Sequence, residues 1–341
     1  MRDTHFVLFA ATVSILLGPS LLIAQNGNGG APTAKPYTTP KTPWGEPDLQ
    51  GTFSNRTITP FERPNNVNGR EFFTPEEVAN MEKQAASRNG DEGRNKGTRG
   101  DVERAYNDFW WDRGTKVTTL RTSMVVDPPD GKVPPLTEEA KKRQADEGTR
   151  PAFRGTGANG RGTDTWLDRS TFERCITRGL PGAMSPTAYN NNYRITQSPG
   201  YVAIQIEMLG GTRVIPTDGR SHVNSSIRQW MGNSTGHWEG DTLVVETKNF
   251  TDKILYRGAA ENLQLVERIK RVGPDELEYR VTVTDPTTFT RPWTLVIPYV
   301  NTGEDMFEYA CHEGNYGMEG ILSGAREEER KAAETKKGSP Q

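Results

Sequence analysis

The stretch LQLVERIKRVGPDELEYRVTVTD, residues 263–285, decides the fold. Leu263, Leu265 and Ile269 fall on one face, with Glu267 among them. After Gly273-Pro274-Asp275, Leu277, Tyr279, Val281 and Val283 share one face, and Glu278, Arg280, Thr282 and Thr284 share the other. Period-two alternation broken by a turn sequence is the pattern of two antiparallel strands with one buried and one wet side. Working outward, residues 192–198 and 201–209 read as strands joined at Pro199-Gly200. Strand-like runs follow at 212–216, 226–231, 242–247, 291–300 and 306–311, with turns at Asp218-Gly219 and Glu239-Gly240-Asp241. Strands recurring every ~8–15 residues mark an antiparallel sandwich or barrel. About nine of them in a meander predict a mainly β chain, built as a lipocalin-like antiparallel barrel over residues 170–323. A barrel of that size holds one small ligand or is filled by its own side chains.

The rest of the chain is of a different character. Residues 1–24 read as a secretory signal peptide: Arg2 is the positive start, an apolar run spans 6–17 and resumes at 21–23, and Ala24 precedes the cut. Gly18-Pro19 interrupts the run, which is too short and broken for a spanning helix; the alternative is an uncleaved anchor. Residues 25–41 are a flexible leader rich in Gly, Pro, Thr and Asn. Residues 42–169 read as an irregular arm with two short polar helices, one starting at Thr74-Pro75-Glu76-Glu77 and one at Thr137-Glu138-Glu139. An aromatic cluster, Tyr106, Phe109, Trp110 and Trp111, and a glycine-rich loop over 148–165 lie within it. The tail, 324–341, is a charged helix without an apolar stripe.

Composition agrees. Glycine (35) and proline (23) make about 17% of 341 residues, above the usual ~12%, which favours turns and short strands over a helical bundle. Lys+Arg is 42 against Asp+Glu 44. No basic excess exists to neutralise a phosphate backbone, so no nucleic-acid partner is expected. No run of ~18 apolar residues follows the leader, so no transmembrane segment is expected in the mature chain. Two cysteines, Cys175 and Cys311, suggest one disulfide in an exported chain, the alternative being two buried thiols.

Several stretches carry a resemblance: CITRGLPG (175–182), YNNNYRI (189–195), IRQWMGNSTGHWEGDTLVVETKNFTD (227–252), DPTTFTRPWT (285–294) and YACHEGNYGMEGIL (309–322). Together with TPWGEPDLQGTFSN (42–55) and RTSMVVDPPDGKVPPLT (121–137), they resemble a family of exported bacterial proteins of unassigned function. The resemblance implies a periplasmic or extracellular location and the extent of the domain. It implies no catalytic residue.

Candidate chemistry therefore comes from the residues alone. Past the leader the histidines are His222, His237 and His312. His312-Glu313 follows Cys311, where a disulfide would pin the backbone. One reading gathers His222 and His312 in a pocket with Glu308 or Glu313, as acid and base or around a divalent metal, although no spacing matches a metal motif. The competing reading makes both histidines structural. Asn190, Asn191, Asn192 and Tyr193 precede a strand, and Arg228 lies near Trp230. Asn, Arg, Tyr and His together are the set that abstracts a proton next to a carboxylate, as a lyase on an acidic sugar does. Trp230, Trp238 and Trp293 with Tyr193, Tyr201, Tyr279 and Tyr299 could stack a sugar or fill a core. The expected catalytic set is His222, Arg228, His312 and Glu313. The expected ligand contacts are Asn192, Tyr193, Trp230, Glu267 and Asn315. No G-x-S-x-G elbow, G-x-x-x-x-G-K-[ST] loop, G-x-G-x-x-G fingerprint or C-x-x-C pair is present. The function expected is the handling of a small or carbohydrate-like ligand, with lyase or hydrolase chemistry on glycans as the enzymatic form; the alternative is a non-catalytic envelope interaction module.

Overall fold

Alternation along the strands sets the architecture. In the computed structural model, which describes residues 37–89, 112, 114–148 and 162–338, ten strands form one antiparallel sheet. They are β1 (Gly51–Ser54), β2 (Val125–Asp127), β3 (Asn192–Ser198), β4 (Tyr201–Ile206), β5 (Thr212–Pro216), β6 (Asn233–Glu239), β7 (Thr242–Lys248), β8 (Gln264–Gly273), β9 (Glu276–Thr284) and β10 (Trp293–Asn301). The order is β5-β4-β3-β1-β10-β9-β8-β7-β6, with β2 paired to β10. The signal peptide, most of the leader, the Tyr106–Trp111 aromatic cluster and most of the glycine-rich loop lie outside the described residues.

In β9 every second residue is buried, and the inward set is Leu277, Tyr279, Val281 and Val283, as the alternation predicts. The strip nearly closes into the expected lipocalin-like barrel, with β5 and β6 meeting at its two ends. Three features depart from the sequence reading. First, β1 comes from the arm yet sits inside the barrel wall, pairing Phe53 with Tyr193 on one side and with Asn301 on the other. The arm is thus part of the same compact unit, which begins at Thr38. Second, residues 226–231 are not a strand; Gln229 makes a single bridge to Phe250. Third, residues 306–311 form no strand either.

The second departure has a geometric cause. Arg213 of β5 reaches Ser234 of β6, while Ile215 and Thr217 pack around Gly236. Residue numbers rise together, so β5 and β6 lie side by side in parallel, without a ladder between them. Neighbours of that kind need a connection that returns the full strand length. Residues 217–232 are that return, a strap running back along β6. A Cβ on Gly236 would stand 3.0 Å from the Ile215 side chain, so the close approach depends on glycine.

The open seam is bridged from within. Arg213 and Glu267 are both buried. Arg213 Nη1 donates to Glu267 Oε1 at 2.8 Å, and Nη2 pairs with Oε2. Arg213 also donates to Ser234 Oγ at 3.3 Å from Nε and to Thr247 Oγ1 at 2.9 Å from Nη2. Thr247 and Tyr279 donate their hydroxyls to the Glu267 carboxylate at 3.1 and 2.7 Å. One side chain from β5 thereby ties together β6, β7, β8 and, through Tyr279, β9.

The remaining interior is aromatic. Tyr193, Tyr279, Tyr299, Trp293, Phe53, Phe250 and Phe289 are fully enclosed, with Tyr193 and Tyr299 ring centroids 4.9 Å apart. Burial raises the Tyr279 and Tyr299 hydroxyls well above the usual phenol range. Each has a task that fits a neutral phenol: Tyr193 donates to Ala183 O at 3.1 Å and Tyr299 to Met184 O at 2.6 Å. These bonds fasten a plug, residues 179–184, whose Leu180, Ala183 and Met184 enter the core. Pro298 lies within a central strand, but its missing N–H falls on the edge between β2 and β1, where β10 has no partner to accept it.

Among the described residues three α-helices occur: α1 (Pro75–Asn89), α2 (Glu138–Gly148) and α3 (Tyr316–Gly338). Thr74 and Glu77 form the reciprocal capping box of α1, at 3.2 and 2.8 Å. Among the described residues no helix is long and apolar enough to cross a membrane.

Candidate functional site

Cys175 and Cys311 are bridged, as their number and context suggest. The bridge joins the segment leading into the plug to the segment leading into α3. Asn315 strengthens the joint by donating to Glu173 O at 2.9 Å and lying 3.5 Å from Cys175 Sγ. His312 and Glu313 stand exposed in the turn between the disulfide and α3.

The expected site residues are distributed over several elements. His222 belongs to the strap: its Nδ1 is 3.0 Å from Asn233 Oδ1 and its Nε2 3.1 Å from Thr235 Oγ1. Because an amide oxygen only accepts, Nδ1 carries the proton and Nε2 accepts from Thr235 in the neutral ring. His312 is held by a different element and shares no partner with His222. Arg228, also on the strap, donates to the carbonyls of Phe250 at 3.2 Å and Glu261 at 2.6 Å, and Trp230 is half-buried beside it in sequence. His237 is exposed on β6, 3.2 Å from Glu239. Asn192 opens β3, its N–H donating to Glu207 at 3.2 Å. Tyr193 is committed to the plug and Glu267 to the seam, where its two oxygens already accept four hydrogen bonds. Of the expected site residues, Asn315 borders a cavity large enough for a ligand.

That cavity is a groove of about 640 Å³ between α3 and the loop at 163–164. Met318 and Leu322, four apart and thus on one helix face, supply its apolar floor. Thr163, Asp164, Asn315, Glu319, Ser323 and Arg326 supply its polar rim. Arg326 fixes the groove's width by donating from Nη2 to Thr163 O at 2.8 Å and to Glu329 at 2.8 Å, with Asp164 4.0 Å away. Asp164 and Glu319 remain exposed acceptors. Close by in the chain, Trp166 is 52% exposed and carries the Arg174 guanidinium 4.6 Å from its ring centroid. The sequence reading placed the tail helix from 324 and so missed the groove. The spacing of Met318, Leu322 and Ala325 was the signal, a short apolar stripe beginning before the charged run.

The barrel interior is occupied by the enclosed side chains of the core. A second cavity, about 10 Å³ and the size of one water, lies at the plug among Arg178, Leu180, Phe250, Tyr256 and Leu263. Among the described residues no group of three or more His, Cys, Asp or Glu side chains comes together as a metal site.

No protein-family model matches the sequence, and no curated protein does. Among solved structures, a secretary abundant heat soluble (SAHS) protein from Ramazzottius varieornatus is similar at 14% identity and a TM-score of 0.25, over 39% of this chain and 86% of that one. A variant of the fluorescent protein UnaG is similar at 16% identity and a TM-score of 0.23, over the same shares.

Proposed function

We propose that this protein is an exported binding protein whose filled barrel serves as scaffold and whose ligand, small and rich in hydroxyl groups as a carbohydrate is, lies in the α3 groove. The observation that carries the reading is the groove of about 640 Å³ against α3, set beside a barrel core packed with its own side chains. Ligand sites usually span about 300–1,000 Å³. An apolar floor with carboxylate, amide and hydroxyl groups around it suits a sugar ring, which presents C–H faces and hydroxyl edges. The leader sequence and the disulfide support export.

Binding is favoured over lyase or hydrolase chemistry by the openness of the groove: Asp164 and Glu319 stand exposed on its rim, where water is not excluded from a reacting atom. His222 is bonded to Asn233 and Thr235 of β6 and His312 stands exposed before α3, and the groove reading uses neither as acid or base.

The test is a thermal-shift and calorimetry screen of the full chain against neutral and acidic oligosaccharides, repeated with Glu319→Gln and Leu322→Trp. At 100 times its dissociation constant a ligand adds about 2.7 kcal/mol of stability. A shift that Leu322→Trp removes and Glu319→Gln weakens is the expected result. A sugar-dependent shift indifferent to both substitutions would move the site elsewhere, and release of reducing ends or unsaturated products would make the protein an enzyme. No shift with any sugar would favour an envelope interaction module.

A further inference from the structure

The water-sized cavity at the plug goes beyond the groove reading and stands independently of it. Its one charged wall is Arg178. Arg178 Nη1 is buried and has no hydrogen-bond partner. No carboxylate pairs with this guanidinium among the described residues. Its neighbours are the Phe172 ring, with the centroid 5.9 Å away, and the phenols of Tyr189, Tyr193 and Tyr256. Burial lowers the guanidinium's affinity for its proton, and only the phenols of Tyr193, Tyr256 and Tyr189 counter the effect. Among the buried arginines, Arg213 has Glu267 in bidentate contact, and Arg63 and Arg271 spend their N–H groups on backbone carbonyls; the half-buried Arg178 offers an enclosed Nη1 that has neither.

A half-buried guanidinium with one N–H shut off from water against apolar groups is stabilised by an accompanying negative charge. A water would satisfy the N–H and leave the charge. An oxyanion such as sulfate is too large for about 10 Å³, and its oxygens would face Leu180, Phe250 and Leu263 without donors. A halide is close to water in size, accepts from Nη1, neutralises the charge and is weakly hydrated enough to lie against C–H groups. We propose that Arg178 and the apolar wall of the plug form a buried halide site, filled by chloride in a chloride-containing medium.

The site ties the plug to the barrel mouth, so its occupancy is readable as stability. The full chain is melted at constant ionic strength while chloride replaces fluoride, which is too strongly hydrated to enter an apolar site. Crystals of the unmodified chain grown in bromide are examined for anomalous scattering. The expected result is a melting temperature that climbs and saturates with chloride, a flat response in Arg178→Gln, and a bromide peak at hydrogen-bond distance from Nη1. The proposal is overturned by a chloride response equal in Arg178→Gln and the unmodified chain, by no chloride response at all, or by a water or a carboxylate oxygen of the chain at Nη1 in place of bromide. Should Arg178→Gln fail to fold, the bromide crystal decides alone.

Discussion

Replacing Glu267 by alanine removes the acid that holds the seam. The change leaves the Arg213 guanidinium buried with Ser234 and Thr247 as its only partners, and it orphans the Tyr279 hydroxyl. Both charged side chains are almost fully enclosed, at 4% and 0% exposure, so water does not compensate. Breaking a buried pair from one side costs about 3–5 kcal/mol, and an unsatisfied buried hydroxyl adds about 1 kcal/mol or more. Against a total stability of about 5–15 kcal/mol, Glu267→Ala should bring the protein close to unfolding. The double variant Arg213→Met with Glu267→Leu replaces both charges by apolar groups, a type of change that is often neutral. It should cost at least ~2 kcal/mol less than the sum of the two single changes. Urea unfolding of the disulfide-bonded chain measures all four corners of the cycle, and equal slopes would show that only stability has changed. A Glu267→Ala cost below ~1 kcal/mol with near-additive behaviour would refute the claim that this pair closes the barrel.

Three further outcomes follow from the geometry. Cys175→Ser with Cys311→Ser opens a loop spanning 136 positions and should lower stability by about 3–5 kcal/mol in the chain-entropy account, read as a drop in urea midpoint. Gly232→Ala forces a positive φ of 68° on a side chain whose Cβ would stand 2.8 Å from Thr247 and 2.9 Å from Lys248 O. Strain and overpacking together should cost about 2–4 kcal/mol, visible as a lowered melting temperature. The Arg70 guanidinium, and next the Thr74 N–H, hold the Glu77 carboxyl down to about 2 from 4.5. A depressed folded-state value means that its contribution is complete above about pH 4.5 and fades as pH falls toward 2. NMR titration should find that midpoint, and Arg70→Ala should return it to the ordinary range.

The strands were legible wherever alternation and a turn coincide locally. The reading of 192–198 and 212–216 matches β3 and β5 residue for residue, because local pattern and tertiary burial agree there. What escaped was decided by distant partners. The sequence GTFS (51–54) has no alternation to offer, and it becomes β1 only because β3 and β10 leave a place between them. Residues 226–231 have β-favouring side chains but are needed as the return path to a parallel neighbour. Glu267 stood out as the one acid on an apolar face; nothing nearby in the chain reveals that Arg213 supplies its partner. His312 and Glu313 were singled out for their place next to a cysteine, and that joint exists, but the cavity beside it is built by α3 residues six to fourteen positions past His312, together with the loop at 163–164.

The place of β1 sets an order of events. A chain made from its amino end produces β1 early, yet one of its two neighbours in the wall is β10, at the far end of the domain. Until residue 301 has emerged, β1 has one free edge, and a wall built from such distant pairings assembles slowly. Cys311 comes later still, ten positions past the end of β10. The covalent link therefore forms only after the last strand of the wall has been made, so that a chain cut short before Cys311 is released without its lock.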